Sequence, residues 1–392
     1  MSIFCKSVFH CFWFVWDYFV TYRVAFNLNI NAMAAPKKNQ ANPAAKPPQE
    51  SGLRYFREIL GQDWVVSHLQ AARRAGRLSH AYLFLGPSGV GKATTARALA
   101  AALNCEQIGA DGDACGLCPS CRRLQAGTHP DFLVISPEEG KTQIKIEVIR
   151  ELRRLTAYPP LGGGWRVVVI KPAEGLTVQN DAAANALLKT LEEPPPQHLL
   201  VLIARGEADL LPTIVSRCHK LAFAPLPSAL IIRELEQRRS LPRSQTALVA
   251  ALSGGSLGRA LALDPEELVR QRDQVLADLA HLHRGSTGLV LDWAQRLTKN
   301  RADLNNFLLL AQLWYRDLLL SHFQAPTSLL AHQDLLPRLS QARAGSGPAA
   351  WFANFAALGT AQRHLQANLN PELTLDILGL RLQRQGNPHA SR

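Results

Sequence analysis

Two sets of residues in this 392-residue chain have types and spacings suited to chemistry. The first is Gly86-Pro87-Ser88-Gly89-Val90-Gly91-Lys92-Ala93-Thr94, which follows the apolar run Ala81 to Leu85 and precedes a stretch rich in Ala, Leu, Arg and Lys. Its glycines let the backbone curl so that successive N–H groups point inward. A helix N-terminus and the Lys92 ammonium add positive charge, and the whole reads as a phosphate-binding loop suited to a triphosphate. One position breaks the pattern. The residue after the lysine should offer a hydroxyl to magnesium, and it is Ala93; Thr94 lies one residue on, turned about 100° around the helix. The second set is Cys105, Cys115, Cys118 and Cys121. Two overlapping C-x-x-C steps and one more distant cysteine supply four thiolates, a tetrahedral set for structural zinc with no open position. The bland alternatives are a ligand-free glycine turn and four reduced thiols without metal, and both fit the context less well.

These groups need elements to hold them. Ala81 to Leu85, Phe132 to Ile135, Trp165 to Ile170, Leu199 to Ala204 and a short run near Leu221 read as buried strands. Between them, helices are predicted at Asp63 to Gly76, Lys92 to Leu103, Ile146 to Thr156 and Asp181 to Glu193, the last stopped by Pro194-Pro195-Pro196. Strands alternating with helices imply a parallel sheet with helices on both faces. From Pro225 onward only helical patterns remain: Ala229 to Gln237, Arg243 to Leu252, Leu257 to Leu263 and Pro265 to His283. Long Leu/Ala runs follow at Leu304 to Leu320, Ala349 to Ala367 and Pro371 to Arg384, a bundle core. No internal repeat is present.

Size and charge set outer limits. The length suits two or three domains, and 47% hydrophobic residues suffice for ordinary cores. A net charge of +12 and a pI near 9.6 are compatible with nucleic acid nearby but locate no binding face. Four of seven cysteines clustered beside a phosphate loop point to a reducing cytosol and a metal, not disulfides. Residues 1–32 are unusual, with many aromatics (among them Phe4, Trp13 and Trp16) interrupted by Lys6, Asp17 and Arg23. The longest uncharged run, Ser7 to Trp16, is shorter than the ~20 residues that span a bilayer. Two readings compete: an amphipathic anchor lying on a membrane, and sequence upstream of a true start at Met33. The second is favoured. Residues 33–54 then form a disordered Pro/Ala/Lys-rich linker.

From about Phe56 to Ala224 the chain resembles the bacterial clamp-loader subunits of the AAA+ class. The carriers are the phosphate loop, the four-cysteine insertion after it, Asn185-Ala186-Leu187-Leu188-Lys189-Thr190-Leu191-Glu192-Glu193-Pro194-Pro195, and Ser216-Arg217-Cys218. The resemblance implies an α/β P-loop NTPase (AAA+) parallel sheet over 55–224, with a zinc module at 105–121. A helical lid (225–284) and an all-α C-terminal collar domain (285–392) complete the implied architecture. It implies as partners the other loader subunits (gamma/tau and delta), and the sliding clamp and primed DNA through the complex. It also implies a cytoplasmic location with no membrane, and a place in the DNA polymerase III holoenzyme during DNA replication.

The family contains motors that hydrolyse ATP and a stator that does not, and four departures favour the stator. A motor carries Asp-Glu where this chain has Lys171-Pro172, with Glu174 two residues farther on. The aspartate holds magnesium and the glutamate polarises the attacking water, so their loss removes the charge on which phosphoryl transfer depends. A motor's polar sensor is replaced by Ala204-Arg205, and in Gly255-Ser256-Leu257-Gly258-Arg259 the second sensor's arginine position is Gly258. Ala93 is the fourth. ATP or ADP could still be held by the surviving loop without hydrolysis. Arg217, by resemblance, reaches the neighbouring subunit's ATP as an arginine finger; the bland reading is a surface salt bridge. Two rivals stand beside the stator: a gamma/tau motor, and a zinc-bearing DNA-binding protein with a vestigial nucleotide fold.

Overall fold

The computed structural model describes residues 54–178 and 181–386. The 1–32 extension and all but the last residue of the 33–54 linker lie outside the described residues. Two compact units are present: residues 54–227 with 256–258, and residues 228–255 with 259–386.

The first unit is built on five strands, β1 (Ala81–Leu85), β2 (Phe132–Ile135), β3 (Arg166–Ile170), β4 (His198–Ala204) and β5 (His219–Ala222). All pair in parallel, in the order β2-β3-β4-β1-β5. Helix α1 (Asp63–Arg74) precedes the sheet; parallel pairing needs a crossover between strands, and helices supply it: α2 (Lys92–Asn104), α3 (Pro119–Ala126), α4 (Ile146–Thr156), α5 (Ala182–Glu192) and the single turn α6 (Pro212–Val215). Side chains alternate across a strand. Accordingly Leu83, Val168, Ile170, Leu200 and Leu202 pack with α4 and α5 on one face. Tyr82, Phe84, Val167, Val169 and Val201 pack with α1 and α2 on the other. Burial on both faces is why these strands read as continuous apolar runs. Register levels the C-terminal ends of three strands: Leu85 lies opposite Ala204 on one side and Ala222 on the other. Gly86 and Arg205 therefore emerge side by side.

Differences from the sequence reading are small. β3 starts at Arg166, one residue after Trp165, and α1 stops at Arg74 because Gly76 turns left-handed (φ 62°). The short helix α3 was not foreseen.

The second unit is all helix: α7 (Ser228–Arg239), α8 (Arg243–Ser253), α9 (Leu257–Ala262, whose first two residues belong to the first unit), α10 (Pro265–Arg284), α11 (Thr287–Thr298), α12 (Arg301–His322), α13 (Leu336–Gly345), α14 (Pro348–Gln366) and α15 (Pro371–Gly386). The longest, α12, buries Leu304, Phe307, Leu308, Leu310 and Tyr315. A Cβ at Gly379 of α15 would lie 2.5 Å from Val290 Cγ1, so the missing side chain lets α11 and α15 approach closely. Asp317 of α12 is fully buried. Its Oδ2 accepts the main-chain N–H groups of Ala331 and His332 and faces His332 Nδ1, each at 2.8 Å, while Arg316 Nη2 donates to Oδ1 at 2.8 Å. Burial alone would raise this carboxyl; the Arg316 and His332 partners bring it below the ordinary aspartate range. Among the described residues no helix is long and apolar enough to cross a membrane.

Candidate functional site

The phosphate loop starts where β1 ends and closes on the first turn of α2. Gly86, Gly89 and Gly91 take φ of 139°, 75° and 106°, a region that side-chain-bearing residues avoid. Val90, 2% exposed, pins the middle of the loop into the core. Gly86 N–H donates to Arg205 O at 3.2 Å, tying loop to β4. Lys92 is 6% exposed. Its ammonium donates to Pro87 O at 2.6 Å and also to Gly86 O, so an entering phosphate would compete with the loop's own carbonyls. Burial lowers the Lys92 pKa to about 8; Glu174 nearby opposes the fall and Arg205 adds to it. At neutral pH the group remains largely charged.

Among the described residues, the end of β3 carries no pair of adjacent carboxylates. β3 delivers Lys171 and Pro172, and Glu174 sits on the short turn Ala173–Leu176. Its Oε1 accepts the Arg205 N–H at 2.6 Å, and its Oε2 is buried without a hydrogen-bond partner. Glu174 is therefore committed to the end of β4. Gly258 N–H donates to Gly89 O at 3.1 Å. A Cβ at position 258 would come within 3.2 Å of Gly89 Cα, so a side chain there would press on the loop. Thr95 Oγ1 donates back to Gly91 O at 2.9 Å.

Arg217 follows α6. One guanidinium nitrogen lies 2.8 Å from Glu192 Oε1 at the end of α5, and another donates to Thr213 O at 2.9 Å. The side chain remains 36% exposed.

The four cysteines converge although they come from different elements. Cys105 caps the end of α2, Cys115 lies in the loop, Cys118 is the N-cap of α3, and Cys121 is in its first turn. Their sulfurs all lie within 4.8 Å of one another. A tetrahedral zinc–thiolate site has S···S edges of about 3.8 Å, so the set could hold a metal ion with little closure. Main-chain N–H groups point at three of the sulfurs: Cys115 N to Cys105 Sγ at 3.1 Å, Leu117 N and Cys118 N to Cys115 Sγ at 3.4 Å, and Cys121 N to Cys118 Sγ at 3.4 Å. Such donors favour thiolate. The two on Cys115 bring its pKa down to about 6, whereas burial raises Cys121. The module is tied to the turn Phe56–Glu58 by Asp113, 3% exposed, whose carboxylate accepts Phe56 N at 2.5 Å and Arg57 N at 3.2 Å.

Sequence reading missed a buried pair beside this module. Asp131 and Arg166 are 0% and 5% exposed at their side chains and 3.0 Å apart. Asp131 also accepts the N–H groups of Leu161 and Gly162, while Arg166 donates to the carbonyls of Tyr158 and Pro159. The pair closes the Gly162-Gly163-Gly164 loop. Nothing in the local sequence marks it, because the two charges are 35 residues apart.

Residues 61–227 match the family described as DNA polymerase III, delta subunit. The chain is 42% identical over 206 residues to DNA polymerase III subunit delta' of Pseudomonas aeruginosa, covering 52% of this chain and 61% of that one. It is 40% identical over 216 residues to the subunit of the same name from Escherichia coli, covering 54% and 63%. It is also 38% identical over 234 residues to subunit gamma/tau of Mycobacterium tuberculosis, covering 58% and 38%. The match thus spans about six tenths of the length of the delta' relatives.

Proposed function

We propose that this chain, whose residues 61–227 match the DNA polymerase III delta subunit family and resemble delta' subunits, acts as the stator of that clamp loader. In that role it helps load the sliding clamp on primed DNA alongside gamma/tau and delta subunits. The observation that carries the stator reading is the end of β3. Lys171 and Pro172 stand where a motor needs two carboxylates, and the nearest acid, Glu174, is bonded to Arg205 N–H. Losing both the magnesium ligand and the water-orienting group leaves positioned charge too weak for hydrolysis.

The loop glycines and Lys92 nevertheless form a usable anion cradle, so ATP or ADP is bound through residues 86–94 without turnover. The four cysteines hold a structural zinc, which supplies a cross-link between the end of α2 and the start of α3. Arg217 serves the neighbouring subunit's ATP: its exposure and its single solvent-facing carboxylate partner support release to a phosphate. Residues 225–284 act as a lid and 285–392 as the collar. The identity to gamma/tau keeps the motor as the second reading.

Measuring nucleotide binding and phosphate release on the purified chain tests this. Binding of a fluorescent ATP analogue with no phosphate release above background is expected. Phosphate release above background that Lys92→Ala abolishes would restore the motor reading.

A further inference from the structure

Helix α15 carries an exposed apolar stripe that runs into two arginines. Leu373 and Ile377 are 58% and 44% exposed and one helical turn apart, and Arg381 and Arg384 continue the same face at i+4 and i+7 from Ile377. Where the arginines stand, α14 and α15 line a cavity of about 360 Å³ that is open to solvent. Its floor is small: Ala353, Ala356 and Ala357 of α14. No carboxylate lines it. Thr360, also in the wall, accepts from Arg363 Nη2 at 2.9 Å, which brings a third guanidinium to its edge.

The remaining lining residue is Asn354, 2% exposed. Its amide bonds the buried Tyr315 hydroxyl, and its Oδ1 has no hydrogen-bond partner. An orphaned buried oxygen costs about 1–3 kcal/mol. With the amide turned over, Tyr315 O–H donates to Oδ1 and the unpartnered position becomes Nδ2, whose N–H groups an anion in the cavity would satisfy.

Resting on the clamp-loader reading above, we propose that this cavity receives a carboxylate side chain from a helix of a neighbouring subunit. Arg381 and Arg384 pair with the carboxylate, and Leu373 and Ile377 cover the apolar turns that precede it. The volume exceeds the ~30 Å³ share of one water many times over and admits an aspartate or glutamate side chain. A free phosphate would satisfy the arginines but leave the stripe bare, so an amphipathic acidic helix fits better than an inorganic anion.

The test uses the full chain assembled with purified gamma/tau and delta subunits. The double variant Arg381→Glu/Arg384→Glu should associate with them roughly thirtyfold or more weakly, since like charges brought together at an interface cost several kcal/mol. Its melting temperature should be unchanged, because both side chains are exposed. Separately, Arg381→Lys and Arg384→Lys chains treated in the complex with a zero-length carbodiimide should form an amide to an Asp or Glu of a neighbouring subunit. Wild-type arginine should form none. Unchanged association of the charge-reversed chain, or no cross-link from either lysine variant in the assembled complex, overturns the proposal and leaves the clamp-loader reading intact. Failure of the wild-type chain to assemble with those subunits overturns both.

Discussion

The Arg217 guanidinium lies 2.8 Å from Glu192 Oε1, linking the Ser-Arg-Cys turn to the acidic end of α5. Both side chains are substantially exposed, 36% and 50%, so the pair contributes little to stability. That suits an arginine that must leave its own chain's carboxylate for another subunit's phosphate. Glu192→Ala should lower stability by less than about 1 kcal/mol, read from chemical denaturation of the purified chain. A loss of several kcal/mol would make the pair structural and weaken the case for a mobile arginine.

The cysteine module makes a metal prediction. One zinc per chain should be found in freshly reduced protein, and Cys118→Ser should lose it. The variant should also melt earlier, because Cys118 both caps α3 and joins the small core of Ala101, Ala114, Cys121 and Leu124. Reduced wild-type protein without stoichiometric metal by elemental analysis contradicts this.

If the loop binds nucleotide as proposed, Lys92 should make that binding proton-linked. Its pKa near 8 in the free chain lies below the ordinary 10.5, and a bound phosphate raises it again. Binding above pH 8 should therefore take up a proton, and ATP affinity should fall by up to about tenfold per pH unit as pH rises beyond 8. Calorimetry in buffers of different ionisation heat measures that uptake. The same shift acts on folding with a definite sign. Between about 8 and 10.5 the unfolded chain holds a proton that the folded chain has lost, so the Lys92 contribution to stability rises with pH over that window. Affinity that is flat from pH 7 to 9.5 would place the phosphate away from Lys92.

In the helical unit, Asp317 is the group to remove. Asp317→Ala strands Arg316, His332 and two main-chain N–H groups, and should cost about 3–5 kcal/mol in denaturant unfolding. Its folded-state pKa is depressed, so the contribution is complete above the unfolded aspartate value of about 4 and is lost as pH falls through the folded value.

Much of this molecule could be read from the chain. β3 and β4 are buried on both faces, which writes Val167-Val168-Val169-Ile170 and the run from Leu199 as unbroken apolar stretches. The phosphate loop and the cysteine spacing are local patterns, and each converges in space. What stayed hidden has physical causes. Helix α3 is eight residues long with two arginines, and its N-cap is a cysteine sulfur accepting Cys121 N–H, not a Ser, Thr, Asp or Asn oxygen. Asp131 and Arg166 belong to residue types usually exposed, and only the fold brings them together. Arg205 could be seen to replace a polar sensor, but its bond to Glu174 depends on the register of β4 beside β1.

The central claim is that this chain lends Arg217 to a neighbour's ATP. ATP turnover by the reconstituted loader, with wild-type or Arg217→Ala chain, tests it most directly. Removing an arginine finger costs about 10³–10⁵ at the site it serves. With the complex assembled to the same extent, turnover should drop clearly for the Arg217→Ala chain. Turnover equal to wild type in a fully assembled complex would contradict the claim and return Arg217 to an ordinary ion pair with Glu192.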